Sequence, residues 1–94
     1  MALDPMPNVA ITLTPALTRL FPGCPRQLEL EAADVRGLLD ALDRRWPGMR
    51  DRLSDSTPRV RPHVNIFVDG ERSVLETRLK PGASVLVITA ISGG

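Results

Sequence analysis

The sequence is poor in aromatic residues and in excess charge, and both absences exclude kinds of partner. It has two phenylalanines, one tryptophan and no tyrosine, with a net charge of +1. Single-stranded nucleic acid is commonly held on stacked aromatic rings, and duplexes are held by clustered positive charge. We therefore expect no nucleic-acid partner and no attraction to a membrane surface.

Cysteine, histidine and long apolar runs are equally scarce. Cys24 is the only cysteine and His63 the only histidine, which excludes an internal disulfide and argues against a metal site of the usual ligand spacing. We assign neither residue a catalytic or metal-binding role. No apolar run is long enough to span a bilayer, and residues 1–7 lack the pattern of a signal peptide. We expect a cytoplasmic protein.

The length predicts a single domain over residues 1–94, with little room for a buried catalytic cavity. The sequence contains no nucleophile triad, no paired-carboxylate site and no phosphate-binding loop. We therefore expect a protein that is not an enzyme and that has no catalytic residues, metal or bound cofactor of its own.

Alternating apolar residues predict the strands of one sheet. The predicted strands cover residues 8–14, 27–31, 63–68 and 85–91, with a short returning strand at 72–75. The dipeptide Asp69-Gly70 is a strong signal for a tight turn before that short strand. The last strand is apolar on both faces, which is typical of a central strand.

One clear helix is predicted after the second strand. Asp34 is a suitable N-cap, and Pro47-Gly48 ends the helix. The apolar stripe between them consists of Val35, Leu38, Leu39, Leu42 and Trp46. Residues 14–25 and 49–62 are predicted to be connections, the second with one helical turn near 50–53.

The order of these elements predicts an α+β fold of the β-grasp, ubiquitin-like type. In this fold a mixed sheet of four to five strands carries one main helix on one face, and the last strand lies beside the first. The order along the chain does not by itself fix that pairing. A ferredoxin-like plait would need a second full helix, which the sequence does not offer.

Several segments, taken in order, resemble one family of small proteins. They are residues 64–71, 79–85 and 88–92, followed by the pair Gly93-Gly94. This set is similar to the ubiquitin-like sulfur carriers of the MoaD/ThiS type. Members include the small subunit of molybdopterin synthase, the thiazole-synthesis carrier and the carrier paired with a cysteine synthase. The resemblance covers most of the chain, although its connections are longer than those of the smallest members.

The resemblance implies a chemistry centred on the carboxylate of Gly94. A ubiquitin-activating-type adenylyltransferase would attach AMP from ATP to it, and a sulfur donor would displace AMP to leave a thiocarboxylate. A sulfur-accepting synthase would then take the sulfur. Because glycine has no side chain, Gly93 and Gly94 suit a narrow channel. Ile91 and Ser92 would thread the partner's active site, within a flexible tail over 89–94.

Alternation also predicts a docking surface for these partners. If the even-numbered residues of strand 63–68 face the helix, Phe67 points to the outer face of the sheet. On the last strand, Val85 and Val87 would belong to the core, which leaves Leu86 and Ile88 on that outer face. Exposed apolar clusters on small domains often mark partner sites, so we expect Phe67, Leu86 and Ile88 to form a docking patch. The alternative is that the N-terminal segment or a second molecule covers these three residues.

Two other functions stay open at this point. One is a ubiquitin-like modifier joined through Gly94 to lysines of other proteins, although the uncharged residues 87–94 favour a carrier. The other is a plain interaction domain with incidental glycines. For a carrier, the acceptor stays open among a molybdopterin precursor, thiazole phosphate, an activated serine and a secondary-metabolite precursor. The sequence does not give the oligomeric state.

Overall fold

The computed structural model describes residues 7–54 and 64–89 of the chain. These residues form five strands and three helices. In chain order they are β1 (Asn8–Leu13), α1 (Pro15–Thr18), β2 (Gln27–Glu31), α2 (Val35–Arg45), α3 (Met49–Leu53), β3 (Val64–Val68), β4 (Glu71–Arg72) and β5 (Ser84–Thr89).

The strands form one mixed sheet in the order β2-β1-β5-β3-β4. β1 and β2 pair antiparallel. β5 lies in the centre, parallel to β1 and antiparallel to β3. The predicted β-grasp pairing of the last strand with the first is therefore confirmed, as is the central position of the last strand.

The core lies between the inner face of this sheet and α2. β1 contributes Val9, Ile11 and Leu13, and β5 contributes Val85 and Val87, each at most 1% exposed. The predicted apolar stripe of α2 is buried against them, apart from its last member. Trp46 is the C-cap residue of α2 and is half-buried at the margin of the core.

The start of α2 is fixed by the predicted cap. The Asp34 carboxylate accepts a hydrogen bond of 2.7 Å from the backbone N–H of Gly37. This bond satisfies one of the N–H groups that the first turn of a helix leaves without a partner.

The prediction of a surface connection from residue 49 onward was wrong for its first part. Met49 and Leu53 are fully buried on α3. Gly48 has a φ of 98°, and this left-handed turn directs α3 back onto the core. The Asp43 carboxylate holds the turn by accepting bonds from the N–H groups of Gly48 and Arg50. The helical turn predicted near 50–53 is confirmed as part of α3.

Two further elements differ from the predictions. Residues 14–25 contain the short helix α1, which buries Leu17. β4 has only two residues, and the N–H and hydroxyl of the next residue, Ser73, both donate to the carbonyl of Ile66 on β3. The tight turn at Asp69-Gly70 is confirmed, with φ values of 51° and 87°.

Some predictions fall on residues that the structure does not describe. Thr89, counted with the predicted tail, is the last residue of β5. Residues 90–94 and His63 lie outside the described residues. Within the described part of the chain, no helix has the length and apolar character needed to cross a membrane.

Candidate functional site

The end of β5 is held from both sides. Thr89 is the registered partner of Val64 on β3. On the other side, its hydroxyl oxygen lies 3.2 Å from that of Thr14, the N-cap residue of α1. The last described residue of β5 therefore lies beside β3 and is hydrogen-bonded through its side chain to the start of α1.

A single row of side chains crosses the outer face of the sheet, the face opposite α2. Each member is the registered partner of the next, with one residue from each strand. In sheet order the row is Gln27, Thr12, Leu86, Phe67 and Arg72. Directly opposed side chains of neighbouring strands lie about 5 Å apart, so this row is a continuous surface with an apolar centre.

The structure places all three predicted docking residues on this outer face. Phe67 lies directly opposite Leu86, and Ile88 lies opposite Asn65. Leu86 is 36% exposed, while Phe67 and Ile88 are half-buried. The geometry therefore gives one apolar patch of Phe67, Leu86 and Ile88 beside the end of β5. Its role in docking stays a prediction.

Charge is distributed unevenly around this apolar patch. On the β2 side the outer face carries Glu29 and Glu31, both exposed. On the β4 side it carries Arg72, the registered partner of Phe67. The patch is thus neutral at its centre, acidic toward one edge of the sheet and basic toward the other.

Sequence reasoning missed two residues that border the patch. Arg72 follows from the tight turn, because a two-residue turn at Asp69-Gly70 sets Phe67 opposite Arg72. Thr12 lies beside Leu86 only because β1 and β5 are parallel neighbours, and no local signal in the sequence fixes that register.

The structure describes Cys24 but not the predicted tail residues. Burial raises the pKa of the Cys24 thiol, which keeps the less nucleophilic protonated form near neutral pH. No three of His, Cys, Asp or Glu cluster as metal ligands within residues 7–54 and 64–89. The predicted tail residues Ile91, Ser92, Gly93 and Gly94 lie outside the described residues.

The chain matches a known protein family. The model of the ThiS family matches residues 18–94 of the chain. No curated protein sequence gives a significant match.

Several solved structures share the fold over almost their whole length. CysO in the Amycolatopsis orientalis BexX/CysO complex is 24% identical, with a TM-score of 0.79 over 92% of this chain and 99% of that one. CysO of Mycobacterium tuberculosis is 24% identical, with a TM-score of 0.76 over 88% of this chain and 99% of that one. The small archaeal modifier protein 1 of Methanosarcina acetivorans is 23% identical, with a TM-score of 0.77 over 95% and 98%. At these identities the likeness establishes the shared ubiquitin-like fold.

Proposed function

We propose, since the chain belongs to the ThiS family over residues 18–94, that it is a sulfur carrier that acts as a protein co-substrate rather than as an enzyme. The carboxylate of Gly94 attacks the α-phosphate of ATP on a partner enzyme, forming an acyl-adenylate and releasing pyrophosphate. A sulfur nucleophile then expels AMP and leaves a thiocarboxylate. We place this chemistry in the cytoplasm, where the partner enzyme would draw on ATP.

The position of Thr89 is the observation that carries this proposal. β5 is paired with a strand on each side, and its last residue lies opposite Val64 and is hydrogen-bonded through its side chain to Thr14. Gly94 follows Thr89 by five residues, a distance of at most about 17 Å when extended. A rigid base and a short arm of this kind would place the Gly94 carboxylate in a partner's active site while the domain stays docked outside.

The outer-face patch supplies a surface for that docking. CysO of Amycolatopsis orientalis forms a complex with BexX. We propose that this chain likewise docks, through Phe67, Leu86 and Ile88, onto an activating enzyme of the ubiquitin-activating type and then onto a sulfur-accepting synthase. One patch beside one arm would serve both partners in turn.

Intact-mass spectrometry tests the chemistry directly. The chain is incubated with an activating enzyme from its own cells, ATP and a sulfide source. We expect a mass gain equal to the exchange of one oxygen for one sulfur. A matched variant with one alanine added after Gly94 should not be adenylated, and should give no ATP–pyrophosphate exchange. Normal exchange with that untrimmed variant would refute the assignment to Gly94.

A modifier function is the second candidate. It is favoured by the fold shared with the small archaeal modifier protein 1 of Methanosarcina acetivorans. Activation would be the same, but the final nucleophile would be a lysine amine of another protein. Intact masses of material from the native cells separate the two functions, since a modifier gives covalent ladders and a carrier gives the thiocarboxylate.

A further inference from the structure

The edge strand β2 has backbone hydrogen-bonding groups that point away from the sheet. Its ladder with β1 includes Leu13 N–H donating to Arg26 and Ala32 N–H donating to Pro7. Because bonding alternates along an antiparallel strand, the even-numbered residues of β2 face β1. The residues whose N–H and C=O groups point outward are Gln27, Glu29 and Glu31. No backbone bond to these groups is found among residues 7–54 and 64–89.

A groove of about 370 Å³ runs beside this edge, between β2 and the C-terminal half of α2. Leu30 and Ala41, only 6% and 8% exposed, form its apolar floor. The exposed residues Arg44 and Arg45 line its helix side. Neither arginine forms an ion pair within the described part of the chain.

The two faces of the edge carry opposite charge. Glu29 and Glu31 project from the outer face of the sheet and also border the groove on its strand side, where Asn8 donates a hydrogen bond to the Glu29 carboxylate. Arg44 and Arg45 line the groove on its helix side. A strand added to this edge would project alternate side chains onto the two faces. Residues opposite Glu29 and Glu31 would meet negative charge, and the residues between them would lie over Leu30 and near the arginines.

We propose that the β2 edge binds an extended peptide segment of a partner protein as an added strand. The segment that fits has Lys or Arg at the outer-face positions. Its alternate positions, over the groove, are apolar or acidic. This binding is independent of the sulfur chemistry at Gly94, and it uses the β2 edge of the sheet rather than the Phe67 patch near the sheet centre.

A second copy of this chain does not fit the same edge. Pairing β2 with β2 would place Gln27, Glu29 and Glu31 of both copies on one face, opposite one another. Like charges directly opposed across strands are destabilising. The charge pattern therefore selects a basic outer face on the added strand, which β2 itself lacks.

The probe is the synthetic peptide Lys-Val-Lys-Val-Lys-Asp-Lys-Asp-Lys, titrated into the 15N-labelled full chain. We expect the amide signals of Gln27, Glu29 and Glu31 to shift and their hydrogen exchange to slow. A control peptide with lysine and aspartate interchanged should bind at least about tenfold more weakly. A second control, N-methylated at the backbone of its lysines, retains every charge and should lose binding, because it lacks the donors to β2.

Matched variants of the protein test the backbone and the charges separately. Glu29→Pro removes one outward N–H, which an edge strand tolerates because that group is outside the ladder. Glu29→Pro should weaken binding of the probe peptide at least about tenfold relative to Glu29→Ala, which retains the N–H. The double variant Arg44→Glu with Arg45→Glu should weaken binding of the probe peptide by a similar factor. The control Arg36→Glu, at the other end of α2, should leave that binding unchanged.

Three results would overturn the proposal. The first is equal binding of the N-methylated and unmodified probes, a test that needs no protein variant. The second is a set of shifts confined to the Phe67 and Leu86 face, which would place the peptide there. The third is slow exchange of the Glu29 and Glu31 amides in the free chain, which would show that another segment of the chain already covers the edge.

Discussion

Phe67 and Leu86 lie directly opposite each other on β3 and β5, on the outer face of the sheet. One residue along each strand, Ile66 and Val87 are also opposed, but they face the core and are 1% and 0% exposed. Neighbouring pairs on the same two strands thus belong to different surfaces. Substitutions within one pair should change partner binding, and substitutions within the other should change the stability of the fold.

Phe67→Asp should abolish docking onto the activating enzyme and leave the fold intact, because it places a charge in the centre of the apolar patch. Binding is measured by calorimetry, and folding by thermal unfolding. Val74→Asp is the matched control, since Val74 is apolar and 59% exposed but lies outside the patch. Unfolding of the Phe67 variant would instead show that this ring belongs to the core.

Ile66→Ala should lower the free energy of unfolding by about 2–4 kcal/mol, since it leaves a cavity in a well-packed core. The free energy of unfolding is measured by urea denaturation, in which the m-value should stay unchanged. The folded fraction should still bind the activating enzyme, because the outer-face side chains are untouched. A loss below about 1 kcal/mol would contradict the packing described for β3.

Asp34→Ala should lower the free energy of unfolding by about 1 kcal/mol, because it removes the acceptor for the Gly37 N–H at the start of α2. Asp34→Asn retains a side-chain oxygen in the same place, so its free energy of unfolding should fall much less. Equal losses in the two variants would show that the negative charge, rather than the hydrogen bond, stabilises this end of the helix.

The Cys24 thiol should react slowly with iodoacetamide in the folded chain. Burial raises its pKa, so less thiolate is present at any mildly alkaline pH than in an unstructured peptide. The alkylation rate should begin to rise at a higher pH than that of free cysteine. Urea should restore the ordinary profile, and a folded-state profile that already matches free cysteine would contradict the burial of this side chain.

Local patterns predicted most of the fold because the relevant physics is local. The cap at Asp34, the tight turn at Asp69-Gly70 and the alternation along β5 each depend on a few adjacent residues. The outer-face positions of Phe67, Leu86 and Ile88 follow from that alternation alone. The tail residues at the centre of the functional prediction fall outside the described part of the chain, so the structure leaves them as a proposal.

What the sequence did not reveal depends on contacts between distant segments. Met49 and Leu53 lie among polar neighbours, and their burial follows only from the left-handed turn at Gly48. The groove beside β2 likewise requires Leu30 and the C-terminal half of α2 to be brought together by the fold. No periodicity within either segment predicts that meeting.

The central place of β5 has a mechanical consequence. Traction applied to the C-terminal end of β5 acts on a strand that is paired with β1 on one edge and with β3 on the other. Pulling therefore loads two ladders of hydrogen bonds together instead of peeling one from an open side. A proteolytic machine that grips this end would have to shear both at once, so the domain should resist unravelling from its C-terminal side.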